Sequence, residues 1–347
     1  MDIRMVPAAL IAALFCVMLL LALRPLAISL NFVDKPGGRK RHIGKVPLIG
    51  GMAMYVGFAA GAIVAVPTPQ TGFLLLGAFL LLLVGLIDDR YDLPPSVRLG
   101  TQFGAVLLMY FGGGLSVTTL GDPLALGELG VKPVALVATV FFSIALINAI
   151  NMTDGMDGLA GGLALVALVG VAIAGQGGSA TALAVVGLGV VIGFLAFNFP
   201  LKVNRPIRTF MGDGGSTVLG FIASWLIISV TQPPNAFVSP AAALGFVAIP
   251  LYDLTSCFFR RIIDGRSPMS ADRNHYHHIL QAAGFRRRQC LAILMTAAAS
   301  VMLLCWALEA AGKAESIIFV TWLGCGVVVD TGLRLLHRVR TGTTASG

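Results

Sequence analysis

The fold of this 347-residue chain is decided by an uncharged apolar run at residues 72–87, GFLLLGAFLLLLVGLI, which ends directly in the acidic segment DDRYD at residues 88–92. Such a run suits a helix that crosses the ~30 Å hydrocarbon core of a bilayer. The sequence therefore predicts an all-α polytopic membrane protein, a single domain over residues 1–347 with about eleven transmembrane helices. The eleven apolar runs lie near 6–29, 48–66, 72–87, 102–119, 134–150, 159–175, 181–199, 216–232, 239–258, 290–310 and 316–334.

Composition supports this class. Hydrophobic residues make up 57% of the chain and charged residues only 12%, whereas a soluble domain carries about 25% charged residues. The apolar stretch from Met1 to Ser29 is too long for a signal peptide and has no small-residue cleavage site, so a retained first span is expected. Because the runs at 102–119 and 159–175 are glycine-rich and near the lower length limit, a count of ten spans stays open. The five cysteines are scattered singly without a C-x-x-C pair, which argues against a disulfide framework or a thiolate metal site.

The basic residues indicate the orientation of the chain. Alternate connections form two groups, and 21 of the 24 Lys and Arg residues lie in or beside one of them. That group comprises 31–47, 88–101, 151–158, 200–215, 259–289 and the C-terminal tail. The positive-inside rule assigns it to the cytoplasm and places the N-terminus outside. The net charge of +8 is then a topological signal and gives no reason to expect a nucleic-acid partner.

The dense acidic clusters lie in the predicted cytoplasmic group. The candidate catalytic residues are Asp88, Asp89, Asp154, Asp157 and Asp213. Each aspartate alone also fits a helix cap or a charged helix end. As a set at one depth they would repel each other, and a bound divalent cation would relieve this because Mg²⁺ prefers carboxylate oxygens. We therefore predict a magnesium site that uses Asp213, Asp154 and Asp157.

Polar and glycine-rich segments surround these aspartates. Asn148 and Asn151 precede Asp154 and Asp157 at intervals of three residues, which favours a polar face that leads to the membrane surface. Substrate binding is expected of both asparagines, although interhelical hydrogen bonding also fits Asn148. The turn at 211–216 enters a helix and would expose backbone N–H groups that suit a phosphate or a metal–phosphate complex.

Basic side chains provide candidate ligands for an anionic substrate. Lys40 and Arg41 lie in a strongly basic loop, which suits an electrostatic clamp for a phosphorylated substrate and equally a topogenic anchor to anionic lipids. A second set follows the run at 239–258 and consists of Arg266, Arg273, His275, His277 and His278. A closed zinc site needs four ligands and finds no cysteine or second pair nearby. The histidines and arginines are therefore expected to donate to a diphosphate or a sugar.

Five segments together resemble the polyprenyl-phosphate N-acetylhexosamine-1-phosphate transferase family from about residue 31 to 289. They are the pair Gly50-Gly51, DDRYDLP at 88–94, NAINMTDGMDGLA at 148–160, FMGDGGS at 210–216, and GRSP at 265–268 followed by HYHH at 275–278. The last segment makes the chain most similar to the WecA-type branch, which uses UDP-N-acetylglucosamine. The catalytic loops implied are about 31–47, 88–101, 148–160, 200–216 and 259–289.

The resemblance implies a Mg²⁺-dependent reaction, with Mn²⁺ as a possible substitute, at the cytoplasmic face of a bacterial inner membrane. A polyprenyl phosphate, undecaprenyl phosphate, would attack a UDP-N-acetylhexosamine and release UMP, which starts a lipid-linked cell-envelope glycan. A phosphate monoester has a second pKa of about 6, so the lipid phosphate is already largely dianionic at pH 7 and needs no base. Asp88 and Asp89 are therefore expected mainly to orient the nucleophile or hold metal. One or two metal ions, a direct or a two-step route, and a monomer or homodimer all stay open.

Two other functions are weighed against this one. An MraY-type enzyme, which takes a UDP-muramoyl-pentapeptide, shares the second and third motifs but differs in the histidine loop. An ion-coupled transporter would also carry acids within the membrane, but its site would lie near the midplane within matched repeats. The acids here lie at span ends on one face.

Overall fold

The computed structural model describes residues 3–34, 45–200, 207–234, 236–267 and 274–341. Helices dominate these segments, and one two-stranded antiparallel ladder pairs β1 (Val33–Asp34) with β2 (Val46–Pro47). The helices are α1 (Met5–Ser29), α2 (Gly50–Ala65), α3 (Pro69–Tyr91), α4 (Pro95–Leu107), α5 (Ala135–Thr153), α6 (Leu159–Ala174), α7 (Ser179–Asn198), α8 (Gly212–Thr231), α9 (Pro240–Leu244), α10 (Ala248–Ile263), α11 (Tyr276–Ala282), α12 (Arg287–Ala310) and α13 (Glu315–Thr341).

The prediction of an all-α polytopic membrane protein is confirmed. Within the described residues, eight helical segments are long and apolar enough to cross a membrane, and α2 and α6 are apolar but shorter. All eleven predicted runs overlap helices. The number of these helices that cross the bilayer stays a prediction.

The predicted run at 102–119 is wrong at its second half. After α4 the chain continues as a π-helix over Leu108–Gly112 and then leaves helical structure. A side chain at Gly113 would collide with the indole of Trp225, and Gly114 has a φ of +66°. Backbone N–H groups of the following segment instead donate to the side chain of Gln232, with the N–H of Thr118 at 2.8 Å. Packing and glycine conformation therefore end this helix early.

Helix α8 is the centre of the bundle. In the most apolar 18-residue stretch of this helix, 89% of the residues are buried, and α2, α3, α5 and α6 pack around it. A hydrogen bond of 2.7 Å from the hydroxyl of Ser224 to that of Ser143 joins α8 to α5 inside this apolar packing. Hydroxyls of this kind commonly link helices in membranes.

Glycines bring the N-terminus of α8 unusually close to its neighbours. A side chain at Gly85 of α3 would collide with the backbone of Gly214, and a Cβ at Gly51 of α2 would lie 2.6 Å from the N atom of Gly215. Small residues allow helix backbones to approach in this way. As a result, the end of α3 and the start of α8 meet at the same end of the bundle.

Candidate active site

Asp88 closes α3 and joins it to α4. One carboxylate oxygen accepts a 2.6 Å hydrogen bond from the backbone N–H of Leu93, and the other lies 3.3 Å from a guanidinium nitrogen of Arg98. Asp88 is only 5% exposed, and a buried carboxylate is costly unless it is paired. Arg98 therefore supplies the positive charge that Asp88 needs in this position.

Asp89 binds the first turn of α8. Its Oδ1 accepts a 3.0 Å hydrogen bond from the backbone N–H of Asp213, at the end of the helix where a negative charge is favourable. Gly212 has a φ of +71°, and a Cβ there would overlap the carboxylate of Asp89. Both backbone conformation and space therefore demand glycine at position 212. The segment at 211–216 was predicted as a turn before a helix, but α8 already begins at Gly212, so this segment is the first turn of the helix and lies against the end of α3.

Asp213 also faces the last turn of α5. The amide nitrogen of Asn151 donates to Oδ1 of Asp213 at 3.5 Å. Asp88 and Arg98 are near enough to act on the charge of Asp213. Side chains from α3, α5 and α8 therefore converge around Asp213.

Asp154 follows α5 and belongs to the same group. Burial raises its pKa well above the usual range, and the negative charges of Asp213, Asp89 and Asp157 raise it further. Neither Asp154 nor Asp213 forms an ion pair with another described residue. Their negative charge therefore lacks a protein counter-ion within the described segments, which suits a divalent cation bound by carboxylates.

Asp157 differs because an arginine neutralises it. One guanidinium nitrogen of Arg208 lies 2.8 Å from Oδ1 and 2.7 Å from Oδ2 of Asp157. The loop is fixed further by Asn198, which accepts from the backbone N–H of Gly158 at 2.7 Å and donates to the carbonyl of Thr209 at 2.8 Å. Asp157 thus connects the segment at 155–158 to the segment before α8.

The sequence did not identify Arg98 and Arg208 as parts of the site. Both lie in connections that the positive-inside rule assigns to the cytoplasm, so charge complementarity was the available signal. The ion pairs join residues 10 and 51 positions apart. Local sequence patterns do not specify which arginine meets which aspartate.

Asn148 lies one turn before Asn151 and pairs with a neighbouring helix. Its amide donates to Oε1 of Gln102 at 2.8 Å, and Gln102 returns a hydrogen bond to Oδ1 of Asn148 at 3.4 Å. This contact links α4 to α5, as the alternative of interhelical hydrogen bonding expects. Substrate binding by Asn148 stays a prediction.

The three histidines point in different directions. Nδ1 of His275 lies 3.1 Å from Oδ2 of Asp253 and 3.4 Å from Sγ of Cys257, both on α10. Burial alone lowers the pKa of His275, but hydrogen bonds and charge from Asp253 and Cys257 outweigh it and raise the pKa to about 10. Asp253 also accepts from the backbone N–H of Tyr276 at 3.0 Å. His275 is therefore a cation that anchors the start of α11 to α10.

His277 faces the acidic loop. It is 2% exposed, and a side chain at Gly155 would collide with its Nε2. Burial, together with the charges of the neighbouring His278 and His275, lowers its pKa to about 3. Within the described residues Nε2 of His277 has no hydrogen-bond partner. A neutral imidazole with an unsatisfied nitrogen beside Asp154-Gly155 suits contact with a substrate or water.

The remaining predicted residues are placed less closely. Arg266 lies exposed after α10, next to Gly265, which has a φ of +65°. Lys40, Arg41 and Arg273 lie outside the described residues. Substrate binding by these four residues stays a prediction.

Two groups of side chains are candidates to hold a metal ion. Among the described residues, one group of three candidate ligand side chains has its ligand atoms within 4.8 Å of one another, namely Asp253, Cys257 and His275. In that group His275 and Asp253 already satisfy each other as an ion pair. The carboxylates of Asp154 and Asp213, by contrast, combine uncompensated charge with oxygen donors. The latter pair fits Mg²⁺ better by the chemistry of its donors.

Comparisons with known proteins show which family this chain resembles. The model of a family described as "Glycosyl transferase family 4" matches residues 71–231, which run from the first turn of α3 to the end of α8 and include the five candidate catalytic aspartates. The chain is 37% identical over 290 residues to the undecaprenyl-phosphate alpha-N-acetylglucosaminyl 1-phosphate transferase of Yersinia pestis, which covers 82% of this chain and 79% of that protein. The proteins of the same name from Escherichia coli (strain K12) and Haemophilus influenzae are 36% and 35% identical, with 82% and 79% of this chain and 79% of each of those proteins covered.

Proposed function

The chain belongs to glycosyl transferase family 4, and from this we infer that it is a membrane enzyme that transfers N-acetylglucosamine 1-phosphate to undecaprenyl phosphate. The observation that carries this inference is the convergence of Asp88, Asp89, Asp154 and Asp213 at one end of the bundle. Four carboxylates in one partly buried site would repel each other. We expect a site of this kind to bind a phosphorylated substrate together with a cation.

We propose UDP-N-acetylglucosamine as the soluble donor. An oxygen of the lipid phosphate attacks the β-phosphorus of the donor, a new diphosphate linkage forms, and the bond from that phosphorus to the oxygen bridging to the α-phosphate breaks. UMP leaves with that oxygen. The product is an undecaprenyl diphosphate that carries the sugar, the first intermediate of a lipid-linked cell-envelope glycan.

Mg²⁺ is the proposed cofactor. Asp154 and Asp213 are the proposed ligands because they have no ion-pair partner among the described residues. Asp157 is a weaker candidate for direct ligation, since Arg208 contacts both of its oxygens. When bound, the metal would neutralise the diphosphate and the departing UMP.

The protein side chains then position two anions that repel each other. Asp88 is held by Arg98 and Asp89 by the N-terminus of α8. Both carboxylates would hold the metal and orient the lipid phosphate through it; a phosphate dianion has no proton for them to accept. His277 would donate or accept at the sugar-diphosphate from its position beside Gly155. Positioning and charge neutralisation are the main sources of rate in phosphoryl transfer.

We place this site at the cytoplasmic face of a bacterial inner membrane, with the N-terminus on the other side. The support is the distribution of Lys and Arg, of which 21 of 24 lie in or beside the connections at the end that carries the site. The donor is a nucleotide made in the cytoplasm, which agrees with this orientation.

The test uses membranes or nanodiscs that contain the full chain. With UDP-[¹⁴C]N-acetylglucosamine and undecaprenyl phosphate, chloroform-soluble label should form with Mg²⁺ and not with EDTA. Asp213→Asn and Asp154→Asn should lose at least about tenfold in rate. The control is Asp122→Asn, whose carboxylate accepts from Leu126 and Gly127 in a turn far from the site. Unchanged turnover in Asp213→Asn would refute the site, and label from a UDP-muramoyl-pentapeptide would refute the donor.

A further inference from the structure

A basic cavity lies between α10, α11 and α13, apart from the acidic site. Its volume is about 250 Å³. Its polar lining consists of Arg260, Asn274, His278, Arg334, His337 and Arg338. No carboxylate belongs to the described residues that line it. Three guanidinium groups around one cavity attract an anion and can donate several hydrogen bonds to it.

Two of the arginines, Arg334 and Arg260, are held in place by hydrogen bonds to neighbouring protein groups. Arg334 donates to Asp330 at 2.7 and 3.0 Å and to the hydroxyl of Ser256 at 2.7 Å. Arg260 donates to the carbonyl of Asn274 at 3.2 Å. Asp330 compensates the charge of Arg334, whereas Arg338 forms no ion pair with another described residue. Arginines fixed in this way lose less entropy when an anion binds.

Helix α11 separates this cavity from the acidic site. His277 lies against Gly155, and one turn later the amide of Gln281 lies 3.8 Å from the sulfur of Met156. His278 and Ala282, which also differ by one turn, line the basic cavity instead. Neighbouring residues on an α-helix point about 100° apart. The two stripes of α11 therefore face two different sites.

The cavity adjoins apolar surface. On the same parts of α10 and α13, the side chains of Phe259, Ile263, Leu335 and Val339 are 61%, 83%, 53% and 81% exposed. In the most apolar 18-residue stretch of α13, only 11% of the residues are buried, so this helix borders the lipid. Positive side chains beside exposed apolar ones at the end of a span are typical of contact with anionic lipid head groups.

We propose that this cavity is a second anion site, which binds a phosphate group independently of the transferase reaction. The exposed apolar flank favours the phosphodiester of an anionic phospholipid as the source of that group, and soluble phosphate is the other source. The site is separate from the acidic cluster and does not depend on the proposed function.

The experiment measures lipid binding to delipidated full-length protein by native mass spectrometry. Phosphatidylglycerol and phosphatidylcholine are titrated separately, and inorganic phosphate is added as a competitor. Arg338→Gln removes one charge from the lining. Arg288→Gln is the matched control, because Arg288 is also an exposed arginine on a helix at this end of the bundle but does not line the cavity. Size-exclusion profiles check that both variants keep their fold.

We expect phosphatidylglycerol to bind more tightly than phosphatidylcholine, and Arg338→Gln to weaken this binding about tenfold, the value of one charge-assisted hydrogen bond. Arg288→Gln and Asp213→Asn should leave it unchanged. Competition by millimolar phosphate that Arg338→Gln abolishes would also support the site and would identify a soluble source. Equal binding of both lipids without such competition, or equal effects of both arginine variants, would overturn the proposal.

Discussion

Replacement of Gly212 by alanine separates the two demands that the structure makes at this position. Gly212 has a φ of +71°, and a Cβ there would overlap the carboxylate of Asp89. The left-handed backbone alone costs an alanine about 1–2 kcal/mol. Displacement of Asp89 would also break its hydrogen bond to the backbone N–H of Asp213, a charge-assisted contact of about 1.5–3 kcal/mol. Gly212→Ala should therefore lose roughly 2.5–5 kcal/mol of stability in all.

The control is Gly177→Ala in the turn between α6 and α7. Gly177 has a similar φ of +86°, but nothing lies within 4 Å of its added Cβ. It should therefore show the backbone cost alone and keep its activity. Gly212→Ala should lose about 10- to 150-fold in rate if the contact of Asp89 with α8 is needed in the transition state.

The assay compares the initial rate of chloroform-soluble label with the melting temperature of each variant in nanodiscs. Wild-type activity in Gly212→Ala would contradict the role given to Asp89. Equal losses of activity in the two glycine variants would show that backbone strain, and not the position of Asp89, controls the rate.

Three further predictions concern charge. Arg208→Gln should lower the free energy of unfolding by about 1.5–3 kcal/mol, because it leaves the buried carboxylate of Asp157 without its cation. In a double-mutant cycle of melting temperatures, adding Asp157→Asn should restore most of this loss. Additive losses would refute the pairing. The pKa of His275 is raised to about 10, so the stability that its protonation adds is complete below the unfolded pKa of about 6.5 and is lost as the pH rises through 10. The melting temperature of the wild type should therefore fall more steeply from pH 7 to 10 than that of Asp253→Asn. Parallel curves would contradict this. Mg²⁺ should raise the melting temperature of the wild type and not that of Asp213→Asn, and an equal rise in both would place the metal elsewhere.

The contacts of the candidate site show where sequence reasoning stopped. The aspartates of α3, the loop after α5 and the start of α8 were expected together because charge and hydropathy placed them at one membrane face. Their spacing along the chain did not reveal that Asp89 accepts a hydrogen bond from the backbone of a residue 124 positions away. That contact depends on Gly85 and Gly214, whose close approach is a property of the packed helices.

The histidine segment gave a mixed result. Its three histidines were predicted as one group of substrate ligands, but the structure turns His275 toward Asp253 and Cys257 and leaves only His277 against the acidic loop. His278 lines the basic cavity. A short helix distributes neighbouring side chains around its axis, so the packing of α11 between two surfaces decides which histidine meets which site.

The sequence by itself determined the class of the protein and the approximate positions of its helices, and it predicted that the acidic residues gather at one face of the membrane. Those features follow from the transfer of apolar side chains into lipid and from the bias of Lys and Arg between the two faces, which act on each segment separately. Only the tertiary structure decided that Arg98 and Arg208 neutralise Asp88 and Asp157 while Asp154 and Asp213 have no ion-pair partner among the described residues. The physical reason is that an ion pair needs its two groups within a few ångströms, and that distance is set by the packing of helices that are remote in the chain.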